Sequence, residues 1–547
     1  MNKAWLLPLF FLPFTAPAQT PRYDQTKEGF LVFHPIKTNN KGKIMPWYND
    51  EPGIAYDFVI NATWNFWDTM RRDINGLPYY MNHQVWRPKN DPRGLGGDQL
   101  AMALSSWQLL YQYSGNEKVK ENMTFIADYY LTHSLSPATA KWPNIPFPYN
   151  TMVYSGMYDG DMVIGKDFTQ PDKAGSFGWE LVKLYKITGK ENYLEYAINI
   201  ANTLAKNMQP GNKNKSPLPF KVNAYTNEVG ILKSNIVNGQ KIGNSDYTTN
   251  FAGTLNLWIA LQQLQKGNVA LYKSATATML LWFQQYPLMN NKWGPFFEDI
   301  AGWSDTQINA VTFGQFIMDH KELFPQWKSD VRNILDWVYQ KLGNKQWEKY
   351  GLTVVNEQTA YKVPGNSHTC RQAAAELQYA RDTKDTTNVQ LAIDQLNWAT
   401  YMVDNDGKNN YPRDEVWLTD GYGDYIRHYL NAMGALPSLA PSNQDHILYS
   451  SSVVQQADYP PVFMKRLDTD VKDSDMSRTL LNYKTFDEKG TETIRLTQKP
   501  AQVTLNKKVL NEMRAGTEEG WRWQPLQIGG VLLVTRLNGN TVTVYKQ

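Results

Sequence analysis

Leu184-Tyr185-Lys186-Ile187-Thr188-Gly189-Lys190-Glu191 ends one helical run and opens the next. Glycine leaves a helix readily through the left-handed region, and an acidic residue suits the first turn that follows. Beyond this turn Leu194, Ala197, Ile198, Ala201, Leu204, Ala205 and Met208 step by three and four, the spacing of one buried helix face. The construction recurs at Ser114-Gly115-Asn116-Glu117, preceded by Leu100, Ala103, Leu104, Trp107, Leu110 and Tyr111 at the same spacing. Weaker turns fall at Lys266-Gly267-Asn268, Phe324-Pro325 and Thr383 to Thr387. These turns define five helical hairpins. Single helices at about Asp57 to Arg72 and about Tyr422 to Leu436 remain, and pairing them closes a ring of six hairpins, a mainly α (α/α)6 toroid.

Packed neighbouring helices alternate in direction, so every short turn belongs to one face of such a ring and every long connection to the other. The long ones run from Asp73 to Gly97, His133 to Lys173, Gln209 to Thr249, Gln285 to Ser304, Gly343 to Asn366 and Val403 to Asp420. Connections approaching about 40 residues are far longer than packing requires and mark function or disorder. Their wealth of Trp, Tyr and Pro argues against disorder.

The rest of the 547 residues frames this ring. Residues 1–18 carry a Lys, the apolar run Leu6 to Phe14 and Ala16-Pro17-Ala18, the pattern of a cleaved secretory signal and hence of a periplasmic or secreted protein. The toroid is expected over 19–441. After Pro437 to Pro441 the pattern changes: Thr491 to Leu496, Gln502 to Leu505 and Val531 to Tyr545 read as strands, with a hairpin turn at Asn538-Gly539. A small β-sandwich over 442–547 is expected to brace the ring, a separate sugar-binding module being the alternative. No other apolar run reaches membrane-spanning length. Cys370 is the only cysteine, so no intramolecular disulfide forms; it reads as a small core residue, with a catalytic thiol beside His368 as the minority reading. A net charge of +3, from 55 basic and 52 acidic side chains, excludes a polycationic nucleic-acid binder. No sequence feature fixes an oligomeric state.

The helices that follow the long connections open with little-charged, small-residue stretches: Ala174-Gly175-Ser176-Phe177-Gly178-Trp179, Phe251-Ala252-Gly253-Thr254-Leu255 and Arg371-Gln372-Ala373-Ala374-Ala375. Glu191 to Met208 and Asp330 to Leu342 instead carry a charged face. The first set is therefore the inner ring, and its N-termini converge on the long-connection end, a field that favours anions. Asp98 and Asp172 start the first two inner helices, each sixteen positions before its turn, at Ser114 and Thr188. Two carboxyls so placed suit shared acid and base work on a glycosidic bond. The competing reading makes both of them helix N-caps.

Other constellations occupy the same end. Tyr158-Asp159-Gly160-Asp161 with Asp167 offers carboxylate oxygens to a Ca²⁺ ion or supplies an acid, a solvated turn being the plainer reading; no other cofactor is implied. Trp417-Leu418-Thr419-Asp420-Gly421-Tyr422-Gly423-Asp424 leads into Arg427 and His428; Asp420 and Asp424 are further candidate acids, and Asp424 and His428 stand one helical turn apart. Aromatic rings beside carboxylates fit the apolar face and hydroxyl rim of a sugar, which makes Trp86, Tyr158, Trp303, Trp417 and Tyr422, with His83, His368, Arg371 and His428, the candidate substrate-binding residues.

Gly97-Asp98-Gln99-Leu100 leading to Leu110-Tyr111-Gln112-Tyr113-Ser114-Gly115, and Pro171-Asp172-Lys173-Ala174 leading to Leu184-Tyr185-Lys186-Ile187-Thr188-Gly189, resemble the inner-helix starts and turns of the six-hairpin glycosidase superfamily, above all the unsaturated glucuronyl hydrolases. The resemblance covers about Asp57 to Leu436. That family's His-Asp and Trp-Ala-Asp-Asp contexts are missing here. The residues and the resemblance together lead to the expectation of an exported glycoside hydrolase acting on oligosaccharides, uronate-containing ones included. The alternatives are a polysaccharide lyase, with Tyr and His83 or His368 removing the proton beside a carboxylate, and a non-catalytic glycan-binding protein.

Overall fold

A computed structural model describes residues 24–25, 31–32, 34–82, 97–152, 155–161, 164–231, 236–237, 240–241, 245–296, 303–409, 419–459, 478–513 and 518–546; of Asp98, Asp420 and Tyr422 it describes the helical backbone alone. Twelve ring helices alternate in role. The outer ones are α1 (Pro52–Asp68), α3 (Glu117–Ser134), α5 (Glu191–Lys206), α7 (Val269–Gln285), α9 (Trp327–Leu342) and α11 (Val389–Thr400). The inner ones are α2 (Gly97–Ser114), α4 (Pro171–Thr188), α6 (Ala252–Gln263), α8 (Gln307–Asp319), α10 (Asn366–Thr383) and α12 (Thr419–Ala435). Each inner helix packs on the next, and α12 returns to α2 and to α1, so the ring of six hairpins is closed.

Local chemistry explains the turns. Gly115, Gly189 and Gly267 take φ of +64°, +72° and +69°, which side chains resist, while Asn116 accepts from the Lys118 amide at 3.1 Å and caps α3. Small residues also set helix separation: a Cβ on Gly175 would stand 1.9 Å from Thr254 Oγ1, so α4 and α6 approach as closely as they do only through that glycine. α1 begins at Pro52, five residues earlier than the sequence reading, because a proline at the first helical position costs no hydrogen bond.

The long connections touch one another around one face. Tyr158 hydrogen-bonds to the Met81 carbonyl, the Trp142 amide to Ala224 O, Thr248 Oγ1 to Pro295 O, the Asp305 amide to Thr359 Oγ1 and Asn366 to Asn409. One of them contains an unexpected buried hairpin, Val354–Gln358 with Tyr361–Pro364.

The opposite face carries the C-terminal sheets. His446–Ser450, Gly490–Leu496, Gly530–Arg536 and Gly520–Pro525 form a four-stranded antiparallel sheet in the order first, second, third, fourth. Val454–Asp458, Thr479–Thr485, Thr541–Tyr545, Gln502–Leu505 and Lys508–Val509 form a five-stranded one. Ile447, Leu481, Ile494, Leu532 and Val542 fill the sandwich between them. It docks on the C-terminal ends of α2 and α4: Tyr459 Oη donates to Gln112 O at 2.7 Å, His446 Nδ1 lies 2.8 Å from Tyr113 O, and Gln455 Nε2 donates to Lys186 O at 2.8 Å.

Candidate functional site

The six inner-helix N-termini meet at the long-connection end, and two groups of charged side chains are buried there. The first surrounds Asp172. Pro171 takes the first helical position of α4 and Gln170 the cap, so Asp172 lies inside the first turn and caps nothing. Its Oδ2 accepts from Asn250 Nδ2 at 2.9 Å and from Lys173 Nζ at 3.3 Å, while its fully buried Oδ1 has no partner among the described residues. Lys173 Nζ also donates to Phe296 O at 3.2 Å and sits 3.0 Å from the Phe296 ring centroid. Asp161, also buried, accepts from Lys221 Nζ at 2.7 Å, from the Ile164 amide and from Gln170 Nε2. Burial pulls the Lys221 ammonium below its usual range, against the pull of Asp161.

The second group spans three inner helices. Asp424 of α12 receives a guanidinium nitrogen from Arg371 of α10 on one oxygen and one from Arg427 on the other, with His428 Nε2 3.2 Å away. Arg371 is fully buried and also donates to Gln307 Oε1 of α8 at 2.7 Å. Burial works against the Asp424 carboxylate, yet the two guanidiniums hold it well below the usual range, so it stays ionised. His368 is buried, with both ring nitrogens unpartnered among the described residues; burial, then Arg371, lowers it to about 3, and burial lowers His428 to about 3 as well. Both imidazoles are therefore neutral at neutral pH. A Cβ on Gly365 would come within 2.4 Å of His368 Nδ1, so a glycine there makes room for the ring.

Set against the sequence-derived candidates, Asp172, Asp161, His368, Arg371, Asp424 and His428 all gather near this end. The environment of Asp424 suits an anchor rather than a proton donor, and Asp161 is neutralised by Lys221. Tyr158 is core: its hydroxyl bonds to Met81 O and its ring meets Tyr130 edge-on at 4.8 Å. Trp303 stands 45% exposed, with Nε1 donating to Asp305 at 3.0 Å. Asp98 and Asp420 lie in the first turns of α2 and α12, and Tyr422 follows in α12. His83, Trp86 and Trp417 lie outside the described residues. Asp159 is taken up by the Thr151 amide and hydroxyl. Among the described residues no group of three or more His, Cys, Asp or Glu is arranged to hold a metal ion, and no helix is long and apolar enough to cross a membrane. Cys370 is buried and burial pushes its thiol up, which makes it inert. Asn250, Lys221 and Gln307 were not among the candidates: each meets its partner from a distant connection or helix, which no local motif announces.

No family model and no curated protein matches this chain. Solved structures do. The cellobiose 2-epimerase from Spirochaeta thermophila aligns over 71% of this chain and 97% of its own at 12% identity, with a TM-score of 0.52. An unsaturated glucuronyl hydrolase specific for heparin aligns over 72% and 100% at 10% identity, TM-score 0.46. A family 76 glycoside hydrolase from a bovine Bacteroides thetaiotaomicron strain aligns over 71% and 78% at 12% identity, TM-score 0.46. The chain has the six-hairpin (α/α)6 toroid fold, as the closed ring of helices and the likeness to the epimerase both show.

Proposed function

We propose that the protein is an exported carbohydrate-active enzyme, a glycoside hydrolase acting on oligosaccharides at the mouth of the inner ring. One observation carries this reading: Asp172 is fully buried there, held by Asn250 and Lys173 through one oxygen and left with the other unpartnered. Asp98 occupies the first turn of the adjacent inner helix. In this reading one carboxyl protonates the departing glycosidic oxygen, and the other activates water or attacks the anomeric carbon. Lys173 and the helix N-termini favour an anionic sugar, so uronate-containing oligosaccharides are the first substrates to assay. The test is consumption of such oligosaccharides followed by mass analysis: two products whose masses sum to the substrate plus one water support hydrolysis, and unchanged oligosaccharide with every substrate tried removes it.

A second reading rests on His368. A neutral imidazole with both nitrogens free suits removal of a carbon-bound proton beside a carbonyl or carboxylate, the opening step of elimination or epimerisation. The Spirochaeta thermophila structure is an epimerase by name, and a shared fold does not decide the reaction, so side chains rather than architecture must be tested. Ultraviolet absorbance of the product identifies elimination, and uptake of deuterium from heavy water at a sugar carbon identifies epimerisation.

A further inference from the structure

The axis of the ring is crossed close to the mouth. Met102 of α2 and Ile308 of α8, on opposite sides of the ring, form one buried cluster with Phe296, and Lys173 covers the Phe296 ring. From this bridge, where Lys173 and Asn250 also line it, a cavity of about 330 Å³ runs along the inner helices, at the small end of the range for ligand pockets.

Its wall is polar in helical register. Ser105, Gln108 and Gln112 of α2 face it at steps of three and four, and Thr312, Gln315 and Asp319 of α8 do so from the opposite side. A purely structural axis would be closed with apolar or small side chains. Here the side-chain amides of Gln108, Gln315 and Asn431 make no hydrogen bond within the described residues. Glu180 pairs with Lys183 at 2.7 Å on this wall, Asp319 accepts from Gln378 Nε2 at 2.8 Å, and the half-buried Trp179 presents an indole beside Lys183. Amides that both donate and accept, next to a flat aromatic surface, match the hydroxyl rim and apolar face of a sugar ring.

The far end meets the sandwich, where Leu448, Tyr449 and Ser450 line the cavity. Tyr449 is 40% exposed, and Asp319 and Asn431 are exposed too. Access therefore runs between the short-turn face of the ring and the sandwich.

We propose that this axial cavity, which runs inward from Phe296, Lys173 and Asn250 at the mouth, holds a second binding site at its sandwich end, between Gln108, Gln315 and Asn431, that takes a neutral mono- or disaccharide from the sandwich side. It stands apart from the hydrolase reading, since binding here needs no turnover at the mouth.

The test is isothermal titration of the full chain with glucose, galactose, mannose, maltose and cellobiose, using the parent and the variants Gln315→Leu, Asn431→Leu and His368→Asn. At least one of these sugars is expected to bind the parent. His368 does not line the cavity, so His368→Asn should leave that affinity within about twofold, and each cavity variant should weaken it about tenfold, the scale of one lost hydrogen-bonding amide. Asn431 is exposed, so its replacement gives a readout even where Gln315→Leu fails to fold. Binding lost in His368→Asn and kept in Asn431→Leu places the sugar at the mouth and overturns the proposal, as does a panel in which no sugar binds.

Discussion

Asn250 donates to Asp172 at 2.9 Å and so joins the approach to α6 to the first turn of α4. The bond fixes one carboxylate oxygen and leaves the other free inside the protein, an arrangement with a cost that packing alone does not require. A group at a mouth lined by helix N-termini, held on one side and open on the other, is the first place to test chemistry.

Asp172→Asn keeps the size and one acceptor. We expect a stability loss of about 1 to 3 kcal/mol, from weakening a buried charged hydrogen bond. Activity on the substrate that the parent consumes should fall roughly a hundredfold or more. Urea unfolding and initial rates on the same preparation separate the two. Parent-like rates in a folded variant would remove Asp172 from the chemistry and turn attention to His368.

Arg371 and Asp424 predict a structural effect. Both are buried, and Asp424 is shared with Arg427. Asp424→Asn leaves two guanidiniums without their counter-charge, so a loss of about 3 to 5 kcal/mol is expected. Arg371→Gln should cost a similar amount, and the double variant less than the sum. Chemical denaturation of the three variants checks this; additive losses would mean that the two groups are not coupled.

Much of the ring was legible in the sequence because the first hairpins carry glycine turns that end one apolar period and start another, as at Gly115 and Gly189, and the later turns at Phe324-Pro325 and Thr383 to Thr387 keep the same spacing. The strand pairing was less so. His446–Ser450 and Val454–Asp458 are only five residues each, the latter with Gln455, Gln456 and Asp458, and Val354–Gln358 buries Asn356, Glu357 and Gln358, so shortness and polar residues hid these strands. Asp172 stood out from its position in the repeat, but Asn250 reaches it from 78 residues away with no local pattern. Asp424 and His428 were visible as neighbours on one helix turn; Arg371 joins them only through the closing of the ring. Tyr158 misled because a long aromatic connection also has to pack against itself.

The histidines set an acid limit. His368 and His428 sit at about 3 in the folded chain, and an unfolded histidine titrates near 6.5. Between those values the unfolded chain binds more protons, so stability is full above about pH 6.5 and declines as pH falls towards 3, by roughly 1.4 kcal/mol per unit for each group. Asp424 adds its own loss below its unfolded value, since its folded carboxyl is depressed. Melting temperatures from pH 8 to pH 4 should drop, and the slope should be shallower in His368→Asn. An unchanged slope in that variant would show that His368 is not buried neutral.

Gly115 and Gly189 are equivalent turns with unequal surroundings, which makes them a test of how the sandwich sits on the ring. Both lie in the left-handed region, at φ of +64° and +72°, so an alanine at either costs about 1 to 2 kcal/mol in backbone strain. A Cβ on Gly189 meets nothing within 4 Å, whereas one on Gly115 would stand 2.2 Å from Ala457 O, in the strand Val454–Asp458. Backbone cannot yield at that distance without moving the sheet off α2. Gly115→Ala is therefore expected to lower the melting temperature further than Gly189→Ala and to expose the short-turn face to limited proteolysis at the junction. Equal losses in the two variants, with the junction still protected, would show that the sandwich does not rest on the Gly115 turn.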